Sequence, residues 1–447
     1  MAGGTWKTQN KRRPGAYINV VGNGQAAANP SLGRVLILRD KGLGWGANGV
    51  LELNNGTDWD ELGVSLSDPD MIVVREALKG ANTVLLMNPN AGKAATLSKA
   101  NMPWDFTAKY VGSKGNNISV SVEAVPNTED QATINTFFGT RLVDQQSIKL
   151  EDIDKFTGNN YIVAKPAATE VTAFSNVQGT LTGGTDEKIT NLDTAINDAL
   201  ENENYAVATT AGFDTNSNIH QILTEAIKRL RENEGRKVRG VVPTDGMTSY
   251  DYEGISAVVN GYVLNSGEVV DVKDAAGLFA GLSASADAGT SLTYEEVPDA
   301  VEAAPKFNNE KTITSLEKGE IVFTSKPGSR VVIEQDINSL TTFTREKTVA
   351  FSKNRVMRTI DTIVTDTEDV FEQSFLGKVG NNANGRDLFK ANRAAYLQSL
   401  LDKNIIQNFK NTDITVEPGN DSDSILVNLA VTPVDAMEKL YMTMVVR

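Results

Sequence analysis

The chain has 447 residues, 40% of them hydrophobic and 22% charged, an ordinary globular composition with length enough for more than one core. Its formal net charge of −14 argues against broad nucleic-acid binding, which needs a basic surface. Cysteine is absent and His220 is the single histidine, which excludes disulfides and thiolate chemistry and leaves no basis for a typical zinc site.

The chain opens with Met1-Ala2-Gly3-Gly4-Thr5-Trp6-Lys7, without the apolar core of a signal peptide. No apolar run approaches the ~20 residues of a membrane helix. The expectation is a product made and kept in a cytoplasm until it is released by other means. Residues 1–30 form a polar, Gly- and Asn-rich arm around one short strand with Tyr17, Ile18 and Val20, entered through Pro14. Such an arm has no core of its own and reads as a tag, a floppy tail or a strand waiting for a partner.

Residues 31–103 read as a small N-terminal α/β unit. Arg34–Arg39 and Thr83–Met87 are buried strands, and a helix with Pro69 in its first turn lies between them. Over 104–184 helical periodicity gives way to alternating stretches such as Ile118-Ser119-Val120-Ser121-Val122, separated by Gly/Asn turns. This predicts an inserted β-rich module. Residues 185–340 return to alternating helices and strands, with a helix carrying Ile219, Leu223, Ala226, Ile227 and Leu230. That order predicts a mostly parallel sheet covered by helices. Residues 341–447 make a last α+β block. A long helix bears Val356, Ile360, Ile363 and Val370. A second helix is capped by Asn384 and carries Leu388, Phe389, Leu397 and Leu400, and strands follow.

The chain ends on an apolar strand pattern. Leu440, Met442, Met444 and Val446 fall on one face, and Tyr441, Thr443 and Val445 on the other. A terminal strand apolar on both faces either fills a slot in its own sheet or extends the edge of another.

Motifs for chemistry are weak. Gly44-Trp45-Gly46-Ala47-Asn48-Gly49 matches the spacing of a dinucleotide-binding loop, but Val50-Leu51-Glu52-Leu53 reads as a strand where that chemistry needs a helix N-terminus. His220, beside core-facing Ile219, reads as a partly exposed helix histidine. These patterns predict no cofactor and no catalytic centre. An α/β hydrolase-like enzyme centred on 185–340, or a receptor-binding coat protein or adhesin using the β-rich module, stand as alternatives.

Several ordered stretches resemble contractile phage tail sheath proteins, a family also found in phage-tail-like bacteriocin particles. They are Pro14-Gly15-Ala16-Tyr17, Tyr110-Val111-Gly112-Ser113-Lys114-Gly115-Asn116-Asn117, Asp336-Ile337-Asn338-Ser339-Leu340-Thr341-Thr342-Phe343-Thr344, Asn354-Arg355-Val356-Met357-Arg358-Thr359-Ile360-Asp361, Phe375-Leu376-Gly377-Lys378-Val379 and Val434-Asp435-Ala436-Met437-Glu438-Lys439-Leu440-Tyr441. The resemblance implies a non-enzymatic subunit that stacks with itself as hexameric rings around a tail tube, with tube, baseplate and tail terminator proteins as partners. It implies no nucleic acid and no membrane contact by this subunit. Its place would be a virion tail or tail-like particle assembled in the host cytoplasm. It also implies that both arms exchange strands between subunits: Tyr17, Ile18 and Val20 at one end, Leu440, Tyr441, Met442, Met444 and Val446 at the other. The charged side of the two C-terminal helices supplies candidate tube-facing residues: Glu368, Asp369, Glu372, Lys378, Arg386, Lys390 and Arg393.

Overall fold

A computed structural model describes residues 2–4, 15–17, 31–128, 130–167 and 171–446. Its α-helices, in chain order, are α1 (Ile72–Leu78), α2 (Leu192–Asn202), α3 (Ile219–Glu232), α4 (Val272–Ser285), α5 (Asn309–Glu317), α6 (Asn354–Val370) and α7 (Ala383–Asp402).

The centre is a seven-stranded sheet in the order Glu320–Ile321, Ile255–Val258, Arg239–Pro243, Val207–Thr209, Arg34–Ile37, Thr83–Asn88, Gly49–Leu53. Every neighbouring pair is parallel except the last, which is antiparallel. Side chains alternate across the strand beginning at Arg34. Val35 and Ile37 enter the core that holds α1 and α4, while Leu36 and Leu38 enter the core under α2 and α3. A strand covered on both faces needs the continuous apolar run seen there. Residues 31–103 and 185–340 therefore do not build separate sheets. The strands of the first segment are one half of the sheet completed by the second, because a parallel neighbour can lie far away in sequence.

The β-rich module is inserted on a two-stranded stem, Ala91–Lys93 paired with Thr185–Glu187. Beyond the stem, a four-stranded sheet (Arg141–Lys149, Gln131–Phe138, Ile118–Ala124, Val177–Thr180) packs on a three-stranded one (Ile162–Pro166, Trp104–Ala108, Thr96–Leu97). Ala95, Leu97 and Met102 belong to its core, so the module begins before residue 104. Trp45 reaches into this core from the Gly-rich loop. It stacks on Phe138 at 5.2 Å and Tyr161 at 5.8 Å and meets Tyr110 edge-on at 5.1 Å.

In the last block α6 runs on into a π-type turn, Phe371–Phe375, before α7. The cap of α7 is Asn382, whose side chain accepts from Gly385 N at 2.9 Å, and not Asn384. A hairpin of Ile414–Pro418 and Ile425–Leu429 follows, and Thr432–Pro433 pairs with Ile406–Gln407. The core of this block is small, built on Ile363, Leu397, Leu400, Ile406, Phe409 and Ile414. At the N-terminus Ala2–Gly4 and Gly15–Tyr17 pair in parallel, with Tyr17 opposite Gly4. Ile18 and Val20 lie outside the described residues.

Candidate assembly surface

Two of the stretches that carry the family resemblance, 336–344 and 354–361, meet in one buried polar joint beside the central sheet. Asp336 and Arg358 form an ion pair in which both side chains are almost fully buried. Asp336 also accepts from Asn354 Nδ2 at 3.0 Å and Leu292 N at 3.0 Å, and Arg358 donates to the Thr290 carbonyl at 3.0 Å. Asn354 reaches on to the Ile337 carbonyl at 2.7 Å and Ser256 Oγ at 3.2 Å. One turn beyond Arg358, Asp361 receives both terminal nitrogens of Arg231 at 3.0 and 2.8 Å. Asn354, Arg358 and Asp361 stand at i, i+4 and i+7, so one face of α6 is clamped to the 336–337 segment, to Ser256 of the sheet and to Arg231 of α3. Nearby Arg239 donates to the Ser283 carbonyl, and burial together with the Arg358 charge lowers its pKa to about 9.

The C-terminal strand pattern does not form a strand in the single chain. Residues 434–446 have no regular backbone pairing after Val434 N bonds the Ile405 carbonyl at 3.0 Å. Leu440, Tyr441, Met442, Met444, Val445 and Val446 are between 71% and 89% exposed. Between these extremes sits Glu438, which the sequence reading did not single out. Its carboxylate accepts from Thr293 Oγ1 at 2.9 Å, from Gln335 Nε2 at 2.6 Å and from Lys353 Nζ. Burial disfavours its charge, but the hydrogen bonds from Lys353 and Gln335 outweigh burial and hold its pKa below the usual glutamate value.

The tube-facing candidates cluster about the α6–α7 connection. Glu368, Glu372 and Lys378 are exposed there, and Asp369, Arg386 and Lys390 are half-buried. Arg393 differs: it is 4% exposed, paired with Asp366 at 2.6 Å and laid against the Tyr396 ring. It ties α7 to α6 and offers no surface charge.

Neither chemical motif becomes a site. The Gly-rich loop is followed by the antiparallel strand Gly49–Leu53, and its amides turn inward: Leu43 N donates to Asn88 Oδ1 and Gly44 N to Asn90 Oδ1. His220 is buried and not partly exposed. Thr210 Oγ1 lies 2.7 Å from Nδ1 and the Asp214 carbonyl 2.9 Å from Nε2. Desolvation lowers its pKa, and the bond to Asp214 only partly offsets this. Among the described residues no group of three His, Asp or Glu side chains is placed to hold a metal ion.

Three family models cover most of the chain. That of the phage tail sheath protein β-sandwich domain matches residues 90–186, that of the central domain residues 187–339, and that of the C-terminal domain residues 346–447. The chain is 30% identical to the phage-like element PBSX protein XkdK of Bacillus subtilis (strain 168), over 99% of each chain. The sheath tail protein of Desulfitobacterium hafniense superposes with a TM-score of 0.80 at 31% identity, over 96% of this chain and 99% of that one. The sheath tail protein Lin1278 of Listeria innocua gives 0.79 at 32% identity, over 92% and 94%.

Proposed function

The chain belongs to the phage tail sheath protein family, a structural and non-enzymatic family, and from that premise we propose that it is the repeating subunit of a contractile sheath. In this reading subunits stack as hexameric rings around a tail tube, meet baseplate and terminator proteins at the two ends, and contract to drive the tube through a target-cell envelope. The extended lattice would be a kinetically trapped state whose collapse supplies the work. The assembly would form in the bacterial host and act as part of a tail or tail-like particle.

The observation that carries the proposal is the unpaired C-terminal arm. A run of large apolar side chains left in water forgoes about 1.5–3 kcal/mol per residue that burial would supply. A strand added to another subunit's sheet recovers this term and satisfies the backbone groups as well. The hairpin Ile414–Pro418/Ile425–Leu429 offers the matching acceptor. Its second strand has a free edge among the described residues, and Leu426 and Leu429 stand exposed on it. The fully extended run 439–446 spans roughly 26 Å, enough to leave one domain and lie along a neighbour's.

Met442→Pro tests this. Proline removes one backbone donor and puts a ring into the ladder. The expected result is a monomer with wild-type melting that forms no tubes under the electron microscope. Early melting of the monomer would place the strand in its own core and overturn the donated arm.

A further inference from the structure

Resting on the donated-arm reading, we infer that Glu438 is the positioning residue of the arm: the point at which the C-terminal strand is gripped by its own subunit before it crosses to the next. The residues on either side show why a grip is needed. Met437 is fully exposed, Lys439 is exposed, and the apolar run begins at Leu440. Upstream, the last paired backbone is the two-residue strand Thr432–Pro433 and the single bond from Val434. Two residues of pairing make a weak hold for a segment that must transmit force.

Glu438 supplies the stronger one. Its three donors come from three separate segments: Thr293 after α4, Gln335 after the strand ending at Ile333, and Lys353 directly before α6. Each is tied to the buried joint. The Thr293 hydroxyl accepts from Asp336 N at 3.0 Å while it donates to Glu438, so it bridges the arm to the Asp336–Arg358 pair. Lys353 is bridged through its backbone to Ile337, and Gln335 adjoins Asp336 in sequence. A pull arriving along residues 439–446 therefore enters the subunit at this buried polar joint and does not peel the strand at 432–433. The Lys353–Glu438 pair has both side chains mostly shielded, 18% and 12% exposed, so water screens it less than a surface pair.

The grip fixes the arm's free length. While Glu438 is held, the free run starts at residue 439. When it is released, the free run starts at residue 435, and the strand samples a larger volume before it finds its acceptor.

The test uses the full-length monomer and trypsin, because the cleavable bond after Lys439 immediately follows the grip. A protease must draw residues on both sides of that bond into its cleft, so residue 438 has to leave its pocket first. Cleavage then follows the population of the released form. Release of the peptide 440–447, followed by mass spectrometry, should run about tenfold faster or more in Glu438→Gln and Lys353→Gln, the scale expected when a charged hydrogen bond is lost. The melting temperature should not move, and Lys353→Arg should restore slow release. Equal rates in wild type and Glu438→Gln overturn the grip. So does faster release that comes only with a lowered melting temperature. A chain ending at Lys439 separates the two ideas. If it still forms tubes, the donated arm falls. If it forms none while Glu438→Gln is cleaved at the wild-type rate, the donated arm stands and the grip falls.

Discussion

Two regions of the C-terminal third, both within or beside stretches that carry the family resemblance, are built in opposite ways. Around Asp336, Asn354, Arg358 and Asp361, charged and amide side chains are buried and hydrogen-bonded. Around Leu440 to Val446, apolar side chains stand in water without a partner. A monomeric enzyme would arrange these the other way round. Buried charge is costly unless it is paired and hydrogen-bonded, and the pairs it makes fix one geometry and resist sliding. Exposed apolar chain is equally costly until another surface covers it. In the donated-arm proposal this inversion separates what stays fixed within a subunit from what is left for its neighbours to complete.

The joint should break at the larger cost. Asp336→Ala takes the acceptor from Arg358, Asn354 and Leu292 N together and leaves the guanidinium buried without its counter-charge. Removing one partner of a buried pair costs about 3–5 kcal/mol. Denaturant unfolding of the monomer should show a loss of that size. A loss below 1 kcal/mol, of the order found for a solvated pair, would mean that the joint does not hold the domains.

Arg393→Ala comes next and decides between two roles. As a buried partner of Asp366 it should cost about 1–3 kcal/mol, the penalty of leaving a polar group unpaired, and should act on folding first. Tube cosedimentation lost at unchanged stability would return Arg393 to the tube-facing set. For the exposed Glu368, Glu372 and Lys378 the expectation is reversed: little change in melting, and tube binding that weakens as salt screens it.

A gentler probe of the interior uses pH. His220 is held neutral, with its folded-state pKa lowered chiefly by desolvation. The unfolded chain therefore takes up a proton more readily than the folded one, so this contribution to stability is present above about pH 6.5 and fades as pH falls through the folded value. Melting at pH 5.5 against pH 7.5 should show the loss in wild type. His220→Gln should reduce the dependence at a cost of about 1 kcal/mol.

These contrasts also mark where the sequence was readable. Arg34–Leu38 was plain as a short continuous apolar run, and α3 because its apolar residues keep helical spacing. Helix α4 was not. It is apolar nearly all round, so no amphipathic stripe marks it, and it lies so close to α1 that a Cβ on Gly281 would sit 2.2 Å from the Ala77 carbonyl oxygen. Arg393 misled because a charge on a helix is usually solvated, and its partner lies 27 residues away. The burial of His220 did have a local signal, the second stripe His220, Thr224, Ile227, Arg231 at i, i+4, i+7 and i+11. Glu438 had none, since its three donors converge only in the folded chain. The sequence order suggested a separate unit at 31–103 because periodicity reports elements, and parallel pairing across an inserted module leaves no local trace.

The smallest effect on the folded monomer, and the sharpest test of the contrast, is expected at the arm. Met442 and Met444 lie on the face shared with Leu440 and Val446 at strand spacing, and both are more than two-thirds exposed. Met442→Ser combined with Met444→Ser removes apolar side chains that stand mostly in water in their own subunit. Surface changes of this kind usually stay within about 0.5 kcal/mol, so melting should match wild type. If the arm is donated as proposed, the same side chains would fill pockets beside the strand that receives them, and each lost side chain would forgo about 1.5–3 kcal/mol of burial at every junction. On that proposal each subunit donates one arm, so the loss would repeat through the lattice, and tubes should fail to form at concentrations where wild type polymerises. Thr443→Ser, on the opposite face, serves as the control and should leave polymerisation intact. Normal tubes from the double variant would show that the backbone ladder alone suffices. A double variant that melts early would show that the arm belongs to its own subunit after all.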